Sequence, residues 1–176
     1  MRKITLAALA LAGSMALVGV TAVPAFAATG DTPVSVTVAS GVISITVPGT
    51  KALTAALPGA TSTTTLGDTV VTDGRAGTAG WIANVTLPVL TGTVTSTNAT
   101  IPTTGATYAV TTATKTGTVT VTAAATITGL GTAKTSQTAT AVSGNNTATW
   151  AATLTVPMPA QVLADTYSGT LTQSVS

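Results

Sequence analysis

The sequence predicts an all-β fold: a single antiparallel β-sandwich of Greek-key or immunoglobulin-like type, preceded by an N-terminal signal-peptide helix. Three observations carry this. Apolar residues alternate with Ser and Thr at period two over many short stretches, as strands with one buried face require. Gly, Pro and Asn punctuate those stretches at short intervals. Thr supplies roughly a quarter of the residues after the leader, and its β-branched side chain suits a half-exposed strand.

The elements follow in chain order. Met1-Arg2-Lys3 is basic, Ile4 to Val23 is apolar, and Pro24 leads to the small-residue sequence Ala25-Phe26-Ala27. That succession reads as a secretory signal peptide over 1–27, which leaves residues 28–176 as one domain. Val34, Val36 and Val38 alternate with polar or small residues, as do Ile43, Ile45 and Val47, with Ser40-Gly41 between them. This predicts a hairpin. Further strands are expected over Thr69–Asp73, Trp81–Leu87, Val89–Thr95, Ala106–Thr112, Thr116–Ala123, Ala125–Thr128, Thr147–Val156 and Thr166–Val175. Thr61–Thr65 reads as a loop, and Gly144-Asn145-Asn146 as the turn before the Trp150 strand. The helix-like stretches Lys51–Leu57 and Ala160–Ala164 are too short to stand alone. No fixed-period repeat or linker divides 28–176.

Composition narrows the chemistry. The chain has no His and no Cys, only 6% charged and 3% aromatic residues. Ser-His-Asp and Cys-His catalysis, disulfides and His/Cys metal sites are excluded, and neither a cofactor nor a metal motif is present. Arg2 and Lys3 leave with the leader. Lys51, Arg75, Lys115 and Lys134 then balance Asp31, Asp68, Asp73 and Asp165. A neutral chain without a basic patch argues against nucleic acid and against cationic membrane binding. Four carboxylates with no Glu or His leave general acid/base work few candidates, so the expectation is a non-enzyme. With no acylation Cys and no sorting tail, the mature chain is expected to be released or held non-covalently at the cell surface.

Two stretches stand out. Asp73-Gly74-Arg75 ends one strand, and a glycine-rich loop then returns to Gly80-Trp81. Asp73 and Arg75 can pair with each other or with loop backbone, making a structural corner with Trp81 as core anchor. The alternative is a glycan platform with Trp81 stacked on a sugar. The corner is preferred, because a chain with two Trp and two Tyr needs its large rings inside. Trp150, Ala152 and Leu154 share one strand face, again as core. Near the end, Leu154-Thr155-Val156-Pro157 precedes Asp165-Thr166-Tyr167-Ser168-Gly169-Thr170-Leu171-Thr172-Gln173-Ser174-Val175. Tyr167 shares a face with Leu171, Gln173 and Val175.

In their order and spacing, these two stretches resemble the WxL surface domain of Gram-positive bacteria. Ala83 stands where the first motif has Leu, Gln173 where the second has Trp, and Val175 where it has Leu. The resemblance implies an extracellular β domain that associates non-covalently with peptidoglycan or another wall polymer, or with another surface protein, in a structural or adhesive role. Asp73, Arg75, Trp81, Tyr167, Leu171 and Gln173 are the residues it marks. Two other readings stay open: a pilin-like subunit that joins neighbours by strand addition, and a secreted hydrolase, the least favoured.

Overall fold

The computed structural model describes residues 29–94, 96 and 99–176. The expected signal-peptide helix over 1–27 lies outside them. The chain divides into two compact units, Met1–Thr37 and Val38–Ser176. In the first, described residues 29–37 carry no regular secondary structure.

The second unit is all-β and antiparallel, as the alternation predicts. Its strands are β1 (Ile43–Thr46), β2 (Thr61–Asp73), β3 (Trp81–Thr86), β4 (Leu90–Gly92), β5 (Thr100–Ile101), β6 (Thr107–Val110), β7 (Thr114–Ala123), β8 (Ile127–Thr128), β9 (Lys134–Pro157), β10 (Tyr167–Ser168) and β11 (Thr172–Val175). A main sheet holds all but β4, β5 and β10, which make a small second sheet in the order β10-β4-β5.

β9 is the axis of the fold. Its 24 residues run through what the sequence presents as the Gly144-Asn145-Asn146 turn. There is no reversal there: Ala141 and Gly144 take positive φ, which bends the strand without ending it. One side of β9 pairs with β3 along Lys134–Ala139 and with β2 along Asn146–Pro157. The other side pairs with β7 and then β6. β1 adds outside β2, β11 adds outside β3, and these two outer strands approach each other, so the sheet nearly closes on itself.

Two other expectations change. Thr61–Thr65 is strand, the first part of β2, registered against Thr153–Pro157. Gly67 at φ +92° supplies a bulge that keeps both Leu66 and Thr69 facing inward. The Val34–Ala39 arm of the predicted hairpin is not paired. β1 pairs instead with Val70–Asp73, a partner more than twenty residues ahead that period alone cannot identify. Lys51–Leu57 and Ala160–Ala164 are not helical.

The interior falls into two apolar clusters. Trp81 and Trp150 centre one, with Val71, Val119, Ala139 and Val142. The other gathers Leu66, Leu90, Ile101, Tyr108, Leu130 and Leu154.

Candidate functional site

The Asp73–Trp81 stretch forms a hydrogen-bonded corner. Asp73 ends β2 with its side chain buried. Arg75 Nε donates to Asp73 Oδ1 at 2.9 Å and Arg75 Nη2 to Oδ2 at 3.0 Å, a two-pronged ion pair. The Arg75 backbone N–H adds a bond to Oδ1 at 3.1 Å. The same guanidinium reaches the carbonyls of Ala79 and Gly80, which closes the glycine-rich loop. The Arg75 bonds hold the Asp73 carboxyl below the usual carboxylate range.

Asn146, on β9, completes the corner. Its amide donates to Asp73 Oδ2 at 3.3 Å, and its Oδ1 accepts the Trp81 indole N–H at 3.2 Å. Sequence reading treated Asn146 as a turn residue, and nothing local marked it as a partner of Asp73. Trp81 and Trp150 are each 2% exposed, stacked with centroids 6.4 Å apart. Neither indole offers a ring to a ligand, so the corner is a structural clasp.

Most of the second stretch lies elsewhere, against the other apolar cluster, and only its end, Val175, packs on the Trp81 cluster. Tyr167 and Leu171 pack there, and the Tyr167 hydroxyl donates to the Leu163 carbonyl at 2.9 Å. Gln173 Oε1 accepts from the Tyr108 hydroxyl at 3.0 Å and from Thr69 at 3.1 Å, tying β11 to β6 and β2. Burial pushes the Tyr108 phenol up to about 12. Asp165 is bonded by the Thr93 hydroxyl and the backbone N–H groups of Val94 and Thr166, which brings its carboxyl down to about 2. The structure thus brings Asp73, Arg75 and Trp81 together, and Tyr167, Leu171 and Gln173 separately. They are not one site.

Beside the second group is a trough of about 810 Å³. Leu66, Leu87, Ile101 and Leu154 wall it, and residues 47–58 cross it, anchored by Thr54 bonds to the Thr63 carbonyl and by Ser62. No motif in the sequence announced it.

The most regular surface is a double row of hydroxyls. On β7, Thr114, Thr116, Thr118, Thr120 and Thr122 are all exposed. Opposite them on β9 stand Thr149, Thr147, Ser143, Thr140 and Thr138. Cross-strand neighbours sit about 4.8 Å apart, and within each regular run successive outward residues are about 6.8 Å apart along a strand, with bulges on either side of Thr118 separating the runs. Thr116 and Thr147 bond each other at 2.6 Å. Thr72 extends the rows onto β2. The inward residues between them, Val119, Ala139, Val142 and Ala148, are core. Period two therefore builds the core and the hydroxyl face from one stretch of sequence.

No family model, curated protein or solved structure matches the chain.

Proposed function

We propose that the chain is an exported, non-catalytic surface domain that holds non-covalently to the glycan of the bacterial cell wall through the hydroxyl rows of β7 and β9. The supporting observation is the row itself: ten outward Thr and Ser hydroxyls paired across β7 and β9 in two regular runs joined by bulges, on a face where Trp81, Tyr108 and Trp150 are turned inward and offer no ring for stacking. Such a face exchanges hydrogen bonds with a polyhydroxylated polymer, each bond worth about 1 kcal/mol net, so affinity comes from repetition along the strand. Leader, secretion and Gram-positive wall association belong to this reading. They are motivated by residues 1–27 and by the WxL-like stretches.

The test is co-sedimentation of the mature chain with purified peptidoglycan sacculi across a salt series. A neutral chain predicts binding that persists at about 1 M salt, where the Debye length is about 3 Å. Protein that stays in the supernatant at every salt concentration contradicts the proposal.

A further inference from the structure

Among the described residues, two segments with a strand pattern face open space rather than a partner on at least one side. Val34, Val36 and Val38 are 91%, 89% and 81% exposed and lie in no strand, although their alternation with Ser35, Thr37 and Ala39 is a strand pattern. β7 pairs with β9 along one side only, and among the described residues nothing pairs with its other edge. A long open edge with few charges is a template for another strand.

We propose that Val34–Ala39 of one copy adds to the outer edge of β7 in a second copy. This does not rest on wall binding. The two segments match in length and pattern. Gly117, at φ +74°, breaks the β7 ladder, a second irregularity with β9 falls between Thr118 and Thr120, and the β7 strand beyond Gly117 is Thr118–Ala123. That stretch reads Thr-Val-Thr-Val-Thr-Ala, against Val-Ser-Val-Thr-Val-Ala for the donor. With Val36 opposite Val121, a shift of one residue from end-to-end alignment, Val34–Val38 lies beside Val119–Ala123, the donor valines continue the inner face beside Val119 and Val121, and Ser35 and Thr37 lengthen the hydroxyl face. Parallel addition puts the Asp31 and Lys115 charges at the same end of the pair. The Lys115 charge lies just before the acceptor stretch, and Asp31 just before the donor.

The donor must come from another chain. Gly41 N–H is bonded to the Gly74 carbonyl at the β1–β2 end. β2, β9 and β7 lie between that point and the acceptor edge, four strand spacings or about 19 Å along the sheet. Val38 is three residues from Gly41, a reach of about 10 Å. Each copy carries one donor and one acceptor, so the contact is head-to-tail and propagates into open or ring-closed assemblies.

The chain has no cysteine, which makes the test direct. Mature Val36→Cys and Val121→Cys proteins are mixed and oxidised. The inference predicts a disulfide-linked dimer of the two, and none when Val36→Cys is mixed with Thr65→Cys, an exposed β2 position. Sedimentation of the wild-type chain should show concentration-dependent oligomers, and Val36→Asp should be monomeric with an unchanged circular-dichroism spectrum. A wild-type chain that stays monomeric at high concentration overturns the inference. So does a Val36→Cys/Val121→Cys double variant that closes its disulfide within one chain at high dilution.

Discussion

Trp81 and Trp150 occupy matching places in one cluster, yet their indole nitrogens differ. Trp81 Nε1 donates to Asn146, whereas buried Trp150 Nε1 lies by the Tyr108 hydroxyl without forming a well-aligned hydrogen bond. Replacing either by Phe removes similar volume, but only Trp81→Phe strands a buried acceptor. Trp81→Phe should therefore destabilise more than Trp150→Phe, by about 1 kcal/mol, in paired denaturant titrations. Asp73→Asn should cost about 2 kcal/mol, since it removes charge-assisted bonds from Arg75. Asp73 has its pKa lowered from 3.8 in the folded state, so its stabilisation is present above that value and is lost as pH falls through the lowered one. Acid unfolding of Asp73→Asn should show a shallower loss below about pH 4 than wild type. Asp165, at about 2, follows the same sign, and Asp165→Asn should flatten the profile between the two values.

At the scale of elements, β7 and β9 owe their shape to a few backbone positions. Gly117 has positive φ, and an added Cβ would run into the Asn145 carbonyl across the ladder. Gly117→Val should cost more than about 1 kcal/mol, read as a lowered melting temperature, because a β-branched residue resists that conformation as well as clashing. The strand pattern was legible where Val, Ile or Trp alternated with small or polar residues in β3, β7 and the second half of β9, and it misled at Val34–Ala39, which lies in no strand. It failed where composition concealed a partner. The Thr61–Thr65 run looks like a loop because its inward position, Ser62, is polar, and only registration with β9 makes it strand. Gly144-Asn145-Asn146 looks like a turn because a bend within a strand and a reversal use the same residues. The Asp73–Arg75 pair was legible, being two residues apart. The Asn146 contact was not, since it lies seventy-three residues from Asp73.

At the scale of the whole molecule, Trp81, Trp150, Tyr108 and the Asp73 carboxyl face inward, while the β7 threonine hydroxyls face outward. The interior is tied by a few polar bonds: Asp73 with Arg75 and Asn146 at one place, Gln173 with Tyr108 and Thr69 at another. Gln173 serves as an internal acceptor that joins three strands. If the outer face is what binds, stripping its hydroxyls must matter while the corner behind it must not. The direct measurement compares sacculus binding of Thr116→Val/Thr118→Val/Thr120→Val with that of Trp81→Phe, both confirmed folded by circular dichroism. The account predicts that the threonine variant loses binding and that Trp81→Phe retains it. Full binding by the threonine variant, or loss confined to Trp81→Phe, would contradict it.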